Sequence, residues 1–121
     1  MTPRILLVTN IFPPQIGGPA TFIDRLGRAL SDSGVRVTVV CSSDAPADRE
    51  DADRPFKVIR TPLVPRERYE VVIRARIVRE MARHPRILVN GLEPYALTAA
   101  RLLRRQYVLK IVGDTVWETA R

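Results

Sequence analysis

The residues with the clearest chemical potential lie at the junction between an apolar run and a helix. Gly17 and Gly18 stand directly before Pro19, where a helix is predicted to begin. A helix N-terminus presents free N–H groups and a partial positive charge, and glycine leaves room for an anion to approach. The pair therefore indicates a phosphate contact. A glycine turn that only leads into a helix would carry the same two residues, and the spacing differs from the GxGxxG dinucleotide motif.

A second set of candidate residues follows three of the apolar runs, at the point where each run ends. They are Asn10, Asn90 with Glu93, and Asp114. In an open parallel sheet, ligands bind in the crevice at the carboxyl ends of the strands, where the winding of the chain reverses. Polar residues at strand ends are common in any protein, so their positions favour a binding site without defining its ligand.

These residues are positioned by alternating strand and helix patterns. Short apolar runs predict strands, and apolar residues at helical spacing predict the helices between them. The strands are predicted at 4–8, 35–42, 56–61, 86–90 and 107–112, and the helices at 19–34, 67–83 and 93–106. Such alternation predicts an α/β domain with a doubly wound, Rossmann-like parallel sheet of strand order 3-2-1-4-5.

Two stretches fall outside this alternation. The acidic stretch 43–55 is predicted to be a surface loop, and the tail after Gly113 to begin another turn or helix. The edge of the sheet beyond the fifth strand would then be open. Unpaired backbone groups at such an edge favour a homodimer through strand pairing.

Composition limits the class of protein. The chain has 121 residues, of which 45% are hydrophobic and 27% charged, as expected for one globular domain. Cys41 ends a valine-rich run, which predicts a buried structural thiol, and His84 is predicted to be an exposed loop residue. One cysteine and one histidine predict no disulfide, no metal site and no cofactor. Without a signal peptide or a long apolar run, we expect a cytoplasmic protein.

The formal charge of +7 is unevenly distributed, because residues 60–83 hold seven arginines and three glutamates. At 100° per residue, four of these arginines fall on one helix face about 80° wide. They are Arg68, Arg76, Arg79 and Arg83. A solvated face is the plainer interpretation, and contact with the anionic inner face of a membrane is the functional one. Nucleic acid is not expected, because aromatic residues are few and no binding motif is present.

Two stretches carry a resemblance to a known family. The opening RILLVTNIFPPQIGGPATFIDRLGRALSDSGVRVTVVCSSD and the later YVLKIVGDTVWETAR resemble the N-terminal domain of group 1 (family 4) retaining glycosyltransferases of the GT-B fold. The likeness is sharpest over 8–40 and 107–118. Val35 stands where the family often has histidine. Gly113 and Asp114 stand where many members have another histidine. The role of that histidine is therefore not transferred to this chain.

The resemblance implies an N-terminal, acceptor-side domain over residues 1–121 and a C-terminal donor domain that these residues do not include. Gly17 and Gly18 would then contact the diphosphate of a nucleotide-sugar donor, and Asp114 would be the candidate for a catalytic role. The side that holds a sugar or lipid-linked acceptor would be lined by Asn10, Asn90, Glu93 and Asp114. Without the donor domain and its acidic EX7E stretch, we expect this chain alone to be inactive.

Two alternatives stay open at this point. The first is a Rossmann-like nucleotide-binding module of another enzyme class, although the predicted second strand ends in Cys41-Ser42-Ser43 rather than in an acidic residue. The second is a non-catalytic interaction or folding unit.

Overall fold

The computed structural model describes residues 3–15, 17–43, 49–104, 107–110 and 117–120. Strands and helices alternate along these residues as the sequence predicts. In chain order they are β1 Arg4–Val8, α1 Gly18–Asp32, β2 Arg36–Ser42, α2 Arg49–Asp53, β3 Lys57–Thr61, α3 Arg66–Arg83, β4 Arg86–Val89, α4 Glu93–Leu103, β5 Tyr107–Lys110 and β6 Trp117–Ala120.

The strands form one sheet of order β3-β2-β1-β4-β5-β6. The first five are parallel to their neighbours, and β6 is antiparallel to β5. β1 therefore lies at the centre, where Leu6 faces Thr38 of β2 on one side and Ile87 of β4 on the other. The predicted α/β class and the predicted strand order are confirmed. The winding reverses between β1 and β4, which places the switch point of the sheet between these two strands.

Each face of the sheet has its own apolar core, because successive side chains of a strand point to opposite faces. On one face, Leu6 and Val8 of β1 pack with buried residues of α3 and α4, among them Ile73, Ile77 and Ala96. On the other face, Leu7 packs with Ile23 of α1, Phe12 and Phe56. The helices are thus held on both faces. Among the described residues, no helix combines the length and the apolar character needed to cross a membrane.

Helix α1 ends at a glycine, as the sequence predicts. Gly34 has a φ of +88°, a conformation that favours glycine because other residues carry a Cβ. Its N–H donates to the Ser31 carbonyl at 3.0 Å, and the next N–H, that of Val35, donates to the Leu30 carbonyl at 3.0 Å. These two bonds satisfy carbonyls at the end of the helix and turn the chain into β2.

The interpretations of the acidic stretch and of the tail were wrong. The stretch contains the short helix α2, and the tail contributes a strand, β6, that pairs with the outer edge of β5. Lys110 faces Trp117 in this pair, so β5 gains its second hydrogen-bonding neighbour from the same chain. The edge beyond β5 is therefore not open. Dimerisation stays a prediction, but strand pairing at β5 no longer supports it.

The prediction of an exposed His84 was also wrong. Its side chain is buried, and Nδ1 lies 2.6 Å from the Glu80 carbonyl oxygen. His84 is the residue after α3, and its ring folds back onto the last turn of that helix, where a carbonyl lacks an intrahelical partner. The histidine therefore caps α3, at the amino end of β4 and away from the switch point.

Candidate functional site

The adjacency of β1 and β4 brings two predicted site residues together. Asn10 follows β1 and Asn90 follows β4, and the backbone between Asn90 and α4 passes close to Asn10. A Cβ added to Gly91 would lie 2.5 Å from the backbone nitrogen of Asn10. Only glycine allows this approach, so Gly91 brings the two strand ends into contact at the switch point.

A cavity of about 260 Å³ opens at this junction. Three of the predicted acceptor-side residues line it, together with the start of α1 and the turn before α4. The lining residues are Asn10, Ile11, Pro19, Asn90, Gly91, Leu92 and Glu93. The fourth predicted residue, Asp114, lies outside the described residues.

Asn90 is the most distinctive residue of this cavity. It is only 3% exposed, yet neither its side-chain nitrogen nor its side-chain oxygen has a hydrogen-bond partner among the described residues. Its backbone is held firmly, since its N–H donates to the Val8 carbonyl at 2.7 Å. A buried amide without a partner costs about 1–3 kcal/mol, because it has lost its bonds to water. Asn90 lines the cavity and therefore keeps one donor group and one acceptor unused beside it.

The turn that leads from Asn90 into α4 is strained. Leu92 has a φ of 59°, a left-handed conformation that costs a branched side chain of this kind about 1–3 kcal/mol. Its carbonyl accepts the N–H groups of Tyr95 at 3.1 Å and Ala96 at 3.0 Å, which starts the helix. Leu92 and Glu93, the first residue of α4, both line the cavity. A leucine gives no sequence signal for this conformation, so sequence reasoning missed it.

Helix α4 is joined to α3 beside the cavity. The Tyr95 hydroxyl lies 2.9 Å from both carboxylate oxygens of Glu70, and this hydrogen bond, with burial, raises the pKa of Tyr95. The Tyr95 ring meets that of Tyr69 edge to face at 6.3 Å. Tyr69 in turn shares a hydrogen bond of 2.7 Å with Ser42 at the end of β2. These contacts hold the helices of one face against the carboxyl edge of the sheet.

The predicted phosphate-binding glycines lie on the other side of the same edge. Gly18 begins α1, and the Gly17 carbonyl accepts the Thr21 N–H at 3.1 Å. A Cβ on Gly18 would meet no atom within 4 Å, so this position is open to an incoming group. Gly18 also lines a groove of about 580 Å³ along α1, with Thr21, Phe22, Arg25 and Leu26. Gly18 lines this groove and Pro19 lines the smaller cavity, so the N-terminus of α1 borders both.

A buried cluster of ion pairs lies under the loop that follows β1, and sequence reasoning missed it. Arg54 donates to Asp51 at 2.6 Å and to Asp24 of α1 at 3.0 Å, and Arg60 donates to Asp51 at 2.6 and 2.9 Å. Both guanidinium groups lie over the Phe12 ring, at 4.7 and 5.5 Å from its centroid. We name Asp24, Asp51, Arg54 and Arg60 the charged cluster.

The thiol of Cys41 lies near this cluster. Cys41 is buried, as predicted, and burial raises its pKa to about 11, the largest of several influences that include the charges of Arg60, Asp51 and Arg54. A thiol with so high a pKa is protonated at neutral pH and is not a nucleophile. Cys41 therefore has a packing role.

The predicted arginine face of α3 is only partly free. Arg76 is half-buried and donates to the Arg60 carbonyl at 2.9 Å and to Thr61 Oγ1 at 3.0 Å, so it ties α3 to β3. Arg68, Arg79 and Arg83 are exposed. The prediction that all four arginines face outward was thus wrong for Arg76.

The comparisons with known proteins agree with this architecture. The family model for a glycosyl transferase 4-like domain matches residues 17–118. UGT73P12 of Glycyrrhiza uralensis, complexed with glycyrrhetinic acid 3-O-monoglucuronide, is similar with a TM-score of 0.63 and 15% identity, over 94% of this chain and 29% of that one. TcCGT1 in complex with UDP is similar with a TM-score of 0.58 and 12% identity, over 92% of this chain and 28% of that one. No curated protein sequence matches the chain.

The two structures are GT-B glycosyltransferases, and this chain spans less than a third of the length of either. At these identities the likeness establishes the fold, here that of a Rossmann-like GT-B domain. The family match extends over most of the chain, from Gly17 at the start of α1 into β6. The chain belongs to the glycosyl transferase 4-like domain family.

Proposed function

We propose that this chain is the N-terminal, acceptor-side domain of a retaining glycosyltransferase, which moves a sugar from a nucleotide-sugar to an acceptor hydroxyl. The observation that carries the proposal is the buried, unpartnered amide of Asn90, a residue that lines a cavity at the switch point. A sugar hydroxyl both donates and accepts, and so does a side-chain amide. Glu93, across the same cavity, accepts a second hydroxyl.

The cavity is suited to a small part of an acceptor. Its volume of about 260 Å³ lies just under the usual range for sites that take a drug-sized molecule, and is suited to a single sugar ring. The charged side chain that lines it is the acid Glu93, which repels phosphate and carboxylate groups at this position. The proposed ligand of the cavity is therefore a neutral, hydroxyl-bearing unit, either a free sugar or the head of a lipid-linked acceptor.

The donor diphosphate is proposed to lie at Gly17 and Gly18, at the N-terminus of α1. The open space at Gly18 and the groove that begins there support this placement. One helix terminus contributes only about 0.3–1 kcal/mol to an exposed anion. An affinity of 1 mM needs about 4 kcal/mol, so the remainder must come from a C-terminal donor domain. We therefore propose that the chain alone binds nucleotide-sugars more weakly than 1 mM and transfers no sugar.

The acceptor proposal is tested by nuclear magnetic resonance titration of the chain with a panel of methyl glycosides. We expect at least one glycoside to shift the side-chain amide signal of Asn90, and Glu93→Gln to weaken that binding. Glu67→Gln is the matched control, because Glu67 is an exposed glutamate in the first turn of α3. A panel that leaves the Asn90 signal unmoved at high concentration would count against the acceptor role.

The donor proposal is tested separately by calorimetry with UDP-sugars and by a product assay. We expect no measurable heat at millimolar concentration and no product. Micromolar binding, or transfer by this chain alone, would place the donor site within residues 1–121 and contradict the division into two domains.

A second candidate function is contact with an anionic membrane, favoured by the surface around the start of α3. Val64 and Val71 are 73% and 70% exposed, and Leu63 is also exposed. These exposed aliphatic side chains lie in the chain near Arg68, and the exposed Arg79 lies further along α3, so the helix carries both apolar and basic surface. Such a surface binds anionic lipid head groups through charge while its aliphatic side chains enter the interface. The same edge of the sheet carries the proposed acceptor cavity.

Vesicle sedimentation tests this second function. We expect binding to rise with the fraction of phosphatidylglycerol in phosphatidylcholine vesicles and to fall with added salt. Arg68→Glu is expected to weaken binding by about fivefold or more, since each basic residue near the surface is worth about 1 kcal/mol. Arg36→Glu, at the amino edge of the sheet, is the control. Equal binding to neutral and anionic vesicles would remove the membrane function.

A further inference from the structure

The segment that leads to the two glycines contains a turn held by its own side chain. The Gln15 N–H donates to the Phe12 carbonyl at 3.1 Å, and the Phe12 N–H donates to Gln15 Oε1 at 3.1 Å. Phe12 itself is fully buried and meets the Phe56 ring edge to face at 6.2 Å. The turn is therefore held by two hydrogen bonds within it and by the buried ring of Phe12.

Arg60 reaches this turn from the carboxyl end of β3. Its Nη2 donates to the carbonyl of Pro13, within the turn, and its guanidinium lies over the Phe12 ring at 5.5 Å. Nε and Nη2 of the same side chain donate to the two carboxylate oxygens of Asp51 at 2.6 and 2.9 Å. Arg60 is thus fixed in orientation by a bidentate pair before it reaches the turn.

Asp51 is itself anchored to α1. Arg54 donates to Asp51 and to Asp24, and its side chain is completely buried. The charged cluster therefore links α1, α2 and β3 through charge-assisted hydrogen bonds, and Arg60 extends this link to the turn at Pro13. A lysine cannot reproduce it, because one ammonium group lacks the planar fork that serves a carboxylate and a carbonyl together.

We propose that Arg60 is a positioning residue for the glycine segment: it holds the Phe12–Gln15 turn in the orientation that presents Gly17 and Gly18 at the carboxyl edge of the sheet. The functional consequence of this positioning by Arg60 rests on the proposed donor role of Gly17 and Gly18. Arg60 acts on the turn and not on the ligand, since the atom of the segment that it contacts is the backbone carbonyl of Pro13. Asp51 of α2 thereby acquires a role, namely to orient Arg60.

Amide hydrogen exchange of the chain tests the proposal, with two reporters. The Gln15 amide reports the turn, and the Asn90 amide, bonded to the Val8 carbonyl at 2.7 Å, reports the sheet. In Arg60→Met, we expect exchange at Gln15 to rise by about tenfold or more relative to exchange at Asn90, because a hydrogen bond from a charged group is lost locally. Arg60→Lys is expected to show most of the same rise while it retains the positive charge. Arg79→Met, an exposed arginine of α3, is expected to change neither amide.

Two results would overturn the positioning role. Exchange that rises equally at Gln15 and Asn90 in both Arg60 variants would mean that Arg60 supports only global stability. If exchange at Gln15 is the same in the variants as in the unsubstituted chain, the turn is stable without Arg60. If Arg60→Met fails to fold, the comparison is made with Arg60→Lys alone.

The donor role is separated from the positioning role by a second readout. Inorganic pyrophosphate is titrated into the unsubstituted chain and into Arg60→Lys while the Gly18 amide is followed. A shift at Gly18 that weakens in the variant supports both roles. No shift in the unsubstituted chain at pyrophosphate concentrations well above 1 mM removes the donor role, while the Gln15 exchange still decides the role of Arg60.

Discussion

Two groups of buried polar side chains lie at the carboxyl edge of the same sheet, and they differ in pairing rather than in burial. The charged cluster after β2 and β3 is joined by guanidinium–carboxylate hydrogen bonds of 2.6, 2.6, 2.9 and 3.0 Å. Asn90 after β4 is as deeply buried as Arg54 of that cluster, and its amide has no partner among the described residues. We infer that the first group supports the fold and that the second is kept for a ligand.

The largest expected effect is a loss of stability when an ion pair of the charged cluster is broken. Arg54→Met removes the buried partner of Asp24 and leaves Asp51 paired with Arg60 alone. Breaking a buried ion pair costs about 3–5 kcal/mol. Arg28→Met is the matched control, because Arg28 binds the same Asp24 at 3.2 Å but is 46% exposed. An exposed pair contributes only about 0–1 kcal/mol. Urea denaturation measures both free energies of unfolding, and equal losses would contradict the view that burial makes this cluster structural.

The Cys41 thiol gives a pH-dependent test of the same region. Its pKa rises from 9.0 to about 11 in the folded chain, so the unfolded chain loses this proton first as pH increases. Stability is therefore expected to be complete below pH 9 and to fall between pH 9 and 11, by at most about 3 kcal/mol. Cys41→Ala removes this contribution, and its stability should fall less steeply over the same pH range. Parallel pH profiles for the two proteins would mean that the thiol is not shielded.

Two glycines at the edge allow a further matched comparison. Gly91→Ala places a Cβ against the Asn10 backbone, and such overpacking typically costs about 1–3 kcal/mol. Gly18→Ala meets no atom within 4 Å, so its stability should change by less than about 0.5 kcal/mol. Thermal unfolding compares the two variants. If Gly18→Ala is the more destabilising, Gly18 has a structural role and its open position is not kept for a ligand.

These differences explain which features of the fold and of the candidate site could be predicted from the sequence. The first five strands and the three long helices were predictable because periodicity is a local property, whereas the short α2 and β6 were not. The meeting of Asn10 with Asn90 and Glu93 followed from the shared edge of parallel strands. The charged cluster was not predictable, since Asp24 and Arg54 are thirty residues apart and pair only after α1 and α2 pack. Sequence patterns likewise gave no sign of the left-handed Leu92, because leucine is not a residue that favours that conformation.

The remaining errors have a similar cause. His84 was assigned to an exposed loop because it precedes a proline, but its contact with the Glu80 carbonyl depends on where α3 ends. Arg76 was assigned to a free face by helical spacing alone, although β3 lies beside that face and supplies two acceptors. Helical spacing predicts which residues share a face, and tertiary packing decides whether that face is covered.

The central claim, that Asn90 is kept unpaired for a ligand, is tested most directly by the stability of Asn90→Leu. Leucine has the same branching and number of heavy atoms as asparagine but no polar group to leave unsatisfied. We predict that the substitution raises the free energy of unfolding by about 1 kcal/mol in urea denaturation, because the unpaired amide is removed. Asn10→Leu, at an exposed position of the same cavity, should give no such gain. A loss of stability of about 1 kcal/mol or more in Asn90→Leu would show that the Asn90 amide already has a partner in the folded chain, and would contradict the account.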